Sequence, residues 1–385
     1  MKIFIIARGY PSQTSPTWGC FEKDQAEALV QMGHQVTILS VDTRFRFDKR
    51  KLGIQHLVDN GISIYNMFVI PAKLLFFIPQ AVKNKFYAWL LLLTFRKAIK
   101  THEIPDVIYA HYLDIINWAM VIKKRYNIPL VGMEHWSKIN QDPMQESIRN
   151  LIYSTYPHVD HLIAVSEALK QTIMAMDVQP NISVIHNMVS DDFHYIAQEN
   201  HPLTFISVGR LVSGKRFDLL IDALSNTKKL LPKNWRLLIV GDGKLKNTLH
   251  QQITNHKLEK NIYLLGQKTK AEIVHLLQSS DIFVLPSQSE TFGVAYIEAL
   301  ACGLPIIATD CGGPRDIVTP NNGFLIPTDN QQALEKAIIN MVQNMHLYNR
   351  QMIADECQNR FSSTNVAKRI LKILENTIQE SKKQK

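Results

Sequence analysis

Short apolar runs rich in β-formers alternate with longer stretches of helical period along most of the chain, and no other feature restricts its fold so tightly. A strand that reaches the next strand only through a helix builds a parallel sheet covered by helices. In the first half the strand segments are Ile3–Ala7, Gln35–Ser40, Val107–Ala110, Pro129–Met133 and His161–Val165, with helices near 20–32, 80–100, 114–125, 144–155 and 166–176. The rhythm restarts with Leu203–Val208, Leu237–Val240, Ile262–Leu264, Asp281–Leu285, Pro305–Ala308 and Phe324–Ile326, with helices near 216–231, 244–256, 270–279, 293–302 and 330–344. Between the two halves, residues 191–202 (DDFHYIAQENHP) are polar, lose the periodicity and close on a proline, which places a linker there and a hinge near residue 195. The expected class is α/β, with two Rossmann-like, doubly wound domains, 1–194 and 195–359. Such halves face a cleft at the carboxyl ends of their sheets, where open α/β sheets bind ligands. After residue 345 the strands stop, and a helical pattern at 366–378 runs into the basic tail SKKQK.

Composition excludes several alternatives. With 46% hydrophobic and 20% charged residues among 385, the chain buries ordinary cores and is not disordered. Its net charge of +9 lies mostly in residues 201–385, since 1–200 carry 20 basic and 18 acidic side chains. The basic residues are scattered and no aromatic-interleaved basic stripe or reader motif appears, so nucleic acid is not the expected partner. Four cysteines without a CxxC pair argue against a zinc site or a disulfide framework and for a reducing compartment. The chain opens on a strand-like KIFIIA, and its longest uncharged apolar run, Phe86–Phe95, is about half a membrane crossing. A cytoplasmic location is expected.

Two carboxylates carry the strongest chemical signal. In Glu290-Thr-Phe-Gly-Val-Ala-Tyr-Ile-Glu298, which follows the strand at 281–285, Gly293 turns the chain into a helix whose first unpaired N–H groups belong to Phe292, Gly293 and Val294. Those amides suit a diphosphate. Helix side chains lean toward the N-terminus, so Glu298 can reach back to a ribose diol, while Glu290 faces the other end of the ligand. A carboxylate at each end of a diphosphate fits a nucleotide-sugar. A second group, Gly209-Arg210-Leu-Val-Ser-Gly-Lys215-Arg216, follows the strand at 203–208. There Arg210 and Lys215 can neutralise a leaving diphosphate, and fixed charge where charge develops is usually the largest catalytic contribution. No convincing Asp-x-Asp pair is present, so no metal is expected.

With these residues in view, the chain resembles the retaining glycosyltransferases of the GT-B fold, family 4. The resemblance rests on GRLVSGKR at 209–216, LLIVGDG at 237–243, LLGQ at 264–267, DIFVLPSQSETFGVAYIEALACGLPIIAT at 281–309 and GGPRDIV at 312–318. It continues through GHQVT at 33–37, AVSEALK at 164–170 and VIHNMV at 184–189. Segments 9–29 and 134–137 are most similar to bacterial capsular, teichuronic and exopolysaccharide transferases. The resemblance implies that Glu290 binds donor-sugar hydroxyls, Glu298 the ribose, and Arg210 and Lys215 the diphosphate. The amides of Phe292, Gly293 and Val294 would take sugar or phosphate oxygens, and the backbone around Gly266, Gln267 and Lys268 the base. Gly19 would lie on the phosphate-side loop, although Cys20 stands where the family commonly has a second glycine. His135, after a strand, matches the family's active-site histidine; His111, at another strand end, is the weaker candidate, and most histidines of a chain are structural. The last helix, about 360–385, would complete the first domain.

The implied activity is transfer of a hexose from a nucleotide-diphosphate sugar to a hydroxyl of a glycan, with retention, in cell-surface polysaccharide synthesis. The nucleotide-sugar is the donor substrate and no cofactor is required. A nucleotide-sugar epimerase of the same fold is the competing reading, and a nucleic-acid-binding protein the remote one. Residues 60–102 hold six basic residues (Lys73, Lys83, Lys85, Arg96, Lys97 and Lys100) and no acid. With an apolar helix at 88–93, the region 73–100 fits an anionic membrane surface, a dimer contact or a core helix, and a lipid-linked acceptor would make the membrane useful.

Overall fold

The computed structural model describes residues 1–12, 15, 18–44, 51–69, 77–140, 143–197 and 201–383. They fall into two compact units, Met1–Met188 with Ser363–Lys385, and Val189–Ser362.

The first unit runs β1 (Lys2–Ala7), α1 (Cys20–Gln31), β2 (Gln35–Asp42), β3 (Gly53–Asp59), β4 (Ile62–Phe68), α2 (Gln80–Ala98), β5 (Val107–His111), α3 (Leu113–Tyr126), β6 (Leu130–Glu134), α4 (Glu146–Thr155), β7 (His161–Ala164), α5 (Glu167–Met174) and β8 (Ile182–Val184). Its sheet has the order β3-β4-β2-β1-β5-β6-β7-β8. All neighbours are parallel except the hairpin β3–β4. Strands covered on both faces cannot alternate polar and apolar residues, and β1, β5 and β6 are buried almost throughout. Because β1, β5, β6 and β7 are parallel, Arg8, His111, His135 and Val165 all emerge at one edge.

The second unit runs β9 (Thr204–Val208), α6 (Phe217–Thr227), β10 (Arg236–Val240), α7 (Lys246–Asn255), β11 (Ile262–Gly266), α8 (Lys270–Gln278), β12 (Ile282–Leu285), α9 (Val294–Ala301), β13 (Ile306–Thr309), β14 (Gly323–Ile326), α10 (Gln331–Gln343) and α11 (Arg350–Phe361). Its sheet, β11-β10-β9-β12-β13-β14, is parallel throughout. A doubly wound order of this kind brings the ends of β9 and β12, at the centre, side by side.

The chain then returns to the first unit as α12 (Ser363–Lys383), which packs on α1. Val366, Ala367, Ile370, Leu371 and Leu374 form its buried stripe. The change of unit falls at 188/189 and 362/363, earlier and slightly later than the sequence boundaries at 194/195 and about 360. The physical reason is a backbone link: Val189 N–H donates to Phe361 O at 2.8 Å, tying the two crossing segments together inside the second unit. β3, β4, β8 and α11 are elements that the periodicity reading passes over.

Candidate active site

In the second unit, the loop after β9 meets the loop after β12. The Lys215 ammonium donates to Glu290 Oε1 at 2.5 Å, and Ser287 Oγ donates to the same oxygen at 2.8 Å. Gln288 N–H donates to Gly214 O at 2.8 Å, so backbone as well as side chains joins the loops. Glu290 and Lys215, expected to contact different parts of a ligand, thus form one half-buried pair, with side chains 11% and 21% exposed. An ammonium has three donors, and this contact uses one.

Two glycine contacts shape the floor. Gly293, at φ 102°, caps α9 in the left-handed region, where a side chain is strained. Gly313 N–H donates to Glu290 O at 3.0 Å, and a Cβ there would lie 2.3 Å from Phe292 Cα. The segment 290–293 therefore lies directly on the loop after β13. The Phe292 ring is buried edge-on against Phe361, centroids 5.8 Å apart, which leaves its backbone as the part available to a ligand. Val294 begins α9, and Glu298 stands half-buried one turn further along.

The loop after β9 is held from its other side. Gly209 N–H donates to Val240 O at 2.9 Å and Leu211 N–H to Asp242 O at 3.0 Å. Gly241, at φ 141°, allows the first contact, because a Cβ there would stand 1.9 Å from Gly209 O. Arg210 is exposed on this loop. Its neighbour Arg216 bonds to Asp218 and Asp329, which makes Arg216 a loop strut. Gly266 has φ 71° and accepts from Gly241 N–H at 2.9 Å, with Gln267 exposed beside it. The second unit thus gathers Gly209, Arg210, Lys215, Gly266, Gln267, Glu290, Phe292, Gly293, Val294 and Glu298 on the carboxyl-end loops of its own sheet.

In the first unit, Gly19 is left-handed at φ 79°, and a Cβ would strike Gly9 O at 2.3 Å. Cys20 is the first residue of α1, and only Gly19 is required by this crossing. His135 and His111 come together: His111 Nδ1 lies 3.1 Å from His135 Nε2, with the rings 7° from parallel. Burial first, and the Arg8 charge second, push the His135 imidazole down to about 3, against a smaller opposing influence of Asn187. Its Nδ1 is buried without a hydrogen-bond partner. Nδ1 is thus buried and Nε2 is engaged by His111, and the ring is neutral at ordinary pH.

Two residues that the sequence reading does not single out stand beside this pair. Glu134 is fully buried; its Oε1 accepts from the N–H groups of His135 (2.9 Å) and Trp136 (2.7 Å), and its Oε2 from Tyr156 Oη (2.6 Å). Burial raises its carboxyl to about 7 against those hydrogen bonds. Arg8 lies over the Tyr112 ring at 3.7 Å and beside Glu22. The available signal was positional: each is a charged residue at the carboxyl end of an apolar strand.

Comparison with known proteins agrees with this architecture. Residues 23–193 match the profile of Glycosyltransferase Family 4, and residues 191–355 that of Glycosyl transferases group 1. A putative teichuronic acid biosynthesis glycosyltransferase, TuaC, of Bacillus subtilis is 26% identical over 88% of this chain and 88% of its own. The N-acetyl-alpha-D-glucosaminyl L-malate synthase of Bacillus anthracis is 25% identical over 90% of each. Among solved structures, HepE of Anabaena in complex with UDP superposes with a TM-score of 0.74 at 19% identity, covering 98% of this chain and 100% of that one. Two adjoining family profiles, full-length relatives and the paired parallel sheets converge: the chain is a GT-B glycosyltransferase of the group 1, family 4 type.

Proposed function

We propose that this protein transfers a hexose, with retention of anomeric configuration, from a nucleotide-diphosphate sugar to a hydroxyl of a glycan acceptor in cell-surface polysaccharide synthesis. The observation that carries the reading is the Lys215–Glu290 pair set at the Gly293 entrance to α9. In that arrangement Glu290 accepts from sugar hydroxyls, and the two remaining Lys215 donors, with the exposed Arg210, hold the leaving diphosphate. The amides of Phe292, Gly293 and Val294 add fixed dipoles directed at anionic oxygens. Glu298 takes the ribose, and the backbone at Gly266 and Gln267 the base. Gly19 and His135 serve the same reaction from the first unit.

No carboxylate is assigned as a covalent nucleophile. The acceptor oxygen bonds to the anomeric carbon on the face that the phosphate oxygen leaves, and its proton passes to that phosphate. Charge neutralisation by Arg210 and Lys215 makes a metal unnecessary in this scheme. The teichuronic acid assignment of the Bacillus subtilis relative supports a polysaccharide acceptor, and the UDP complex of HepE supports a nucleotide donor. Incubation with a panel of nucleotide sugars in excess chelator tests both statements. Release of nucleoside diphosphate from one donor is the expected result; abolition of release by chelator refutes metal independence.

Membrane attachment through 73–100 belongs to the same proposal, with Lys73 outside the described residues. Among the described residues no helix is long and apolar enough to cross a membrane. In α2, Leu90, Leu91 and Leu92 are buried, so the leucines belong to the core and leave Trp89, 51% exposed, with Phe86 and Val82 on the surface. Phe86 and Val82 also line an apolar groove of about 510 Å³ with Leu52, Met67, Phe68 and Ile78. Aromatic side chains flanked by Lys83, Lys85 and Lys97 suit an anionic interface, each basic residue contributing about 1 kcal/mol near the surface. Salt-sensitive sedimentation with anionic liposomes, lost when Lys83, Lys85, Arg96 and Lys97 are neutralised, is expected; absence of binding at low salt ends this part of the proposal.

A further inference from the structure

We propose that Glu134 and His111 are positioning residues that clamp His135 from two sides, fixing the turn after β6 for the transfer reaction. The inference rests on the reading that places His135 at the reaction centre, and it changes what His135 does there.

The clamp has a backbone half and a ring half. Glu134 Oε1 accepts both N–H groups of the turn, His135 and Trp136, while Tyr156 Oη anchors the other carboxyl oxygen. A single carboxylate thus ties the turn to the segment that follows α4. On the ring side, the His111 contact holds His135 Nε2, and Phe21 and Tyr112 pack on the imidazole at centroid distances of 6.1 and 5.1 Å. His111, Glu134 and Tyr156 have no solvent exposure. Fully buried polar groups of this number serve the core or a site, and these lie where β5 and β6 end, at the ligand-binding edge of such sheets.

Two neutral imidazoles joined by one hydrogen bond share their protons in a fixed way. If His111 Nδ1–H donates, His135 Nε2 accepts and the His135 proton sits on Nδ1; if His135 Nε2–H donates, Nδ1 carries a lone pair. His135 Nδ1 and Asn187 Oδ1 are both buried without a hydrogen-bond partner, and the first arrangement, with a proton on Nδ1, is the one that an acceptor near that nitrogen favours. His111 then selects the His135 tautomer as well as its orientation. Held through Nε2 and with Nδ1 buried, the His135 ring is the part of the turn that the clamp fixes in place, and it is not a proton shuttle.

The test is turnover per folded molecule in the full chain, with the fraction folded measured by near-ultraviolet circular dichroism. Donor hydrolysis is followed for Glu134→Ala, Glu134→Gln, His111→Ala, His135→Ala and the double variant Glu134→Ala/His135→Ala. Displacement of a positioned group by about 1 Å lowers rate on the order of 100-fold. Glu134→Ala and His111→Ala should therefore lose roughly 10- to 100-fold in kcat with KM little changed. Glu134→Gln, which keeps an acceptor for both N–H groups, should recover most of the loss. The double variant should be no slower than His135→Ala alone, because both changes remove one device. Full kcat in folded Glu134→Ala and His111→Ala, or additive losses in the double variant, overturns the inference. Should Glu134→Ala and His111→Ala not fold, a folded Glu134→Gln that loses about 100-fold or more in kcat relative to wild type overturns it. Unchanged turnover in His135→Ala instead removes His135 from the reaction, a distinct failure of the underlying reading.

Discussion

Replacing Lys215 by Met keeps most of the aliphatic stem and deletes the ammonium, so it isolates the charge. Glu290 then retains the Ser287 hydroxyl and loses its cation. The pair is intermediate between an exposed bridge, worth about 0–1 kcal/mol, and a fully buried one, whose disruption costs about 3–5 kcal/mol. With side chains 21% and 11% exposed, the loss should be near 2 kcal/mol in urea unfolding. Glu290→Gln should cost about 1 kcal/mol, and the double variant about 1–2 kcal/mol less than the sum of the singles. Catalysis is affected further. Removing a fixed charge from the developing diphosphate should lower turnover by about 100- to 1,000-fold, some 3–4 kcal/mol of transition-state stabilisation. A coupling energy near zero would show that the two side chains do not act as a pair. Unchanged donor hydrolysis in folded Lys215→Met would remove the ammonium from the mechanism.

Gly313→Ala places a Cβ 2.3 Å from Phe292 Cα, so the amides at the start of α9 must shift; a large rise in donor Kd by calorimetry is expected, and unaltered binding excludes those amides. Leu374→Ala removes a fully buried side chain from the stripe of α12 and should cost about 2–5 kcal/mol in denaturant unfolding, whereas a loss below about 0.5 kcal/mol contradicts the packing. Glu134 titrates at about 7 when folded against an ordinary value of 4.5, so its contribution to stability is full below about 4.5 and is lost as pH rises through 7. Measured against Glu134→Gln, the wild type should lose about 3 kcal/mol between pH 4.5 and 7.5, and a flat difference refutes the raised carboxyl. Tyr156, Asp114 and His135 face the same group, and of these Tyr156 is fully buried beside it.

Much of the fold is legible in the sequence because buried parallel strands must be apolar throughout and their helices must be amphipathic. The β9 to β14 order of elements follows from that contrast alone. The hairpin β3–β4 is different. Its signal was the Asn60-Gly61 turn, with φ of 47° and 78°, which favours a two-residue hairpin. Reading 60–102 by its charge hides that turn, and β3 is too exposed to stand out as an apolar run. For the site, glycine and carboxylate spacing after β12 is readable because a loop and its helix are continuous in sequence. The Lys215–Glu290 contact joins positions 75 residues apart, and only the central placement of β9 beside β12 brings them together. The same holds for His111 and His135, which β5 and β6 set side by side. Burial, which makes Glu134 an anchor, has no local sequence signature.

The central claim is retaining transfer from a nucleotide sugar, and the anomer first released from the donor tests it most directly. With an α-linked nucleotide sugar that supports turnover, proton NMR during the first minutes of hydrolysis should show the α-anomer of the free sugar before mutarotation, together with nucleoside diphosphate. Initial release of the β-anomer would contradict retention, and an isomerised nucleotide sugar without nucleoside diphosphate would contradict transfer itself.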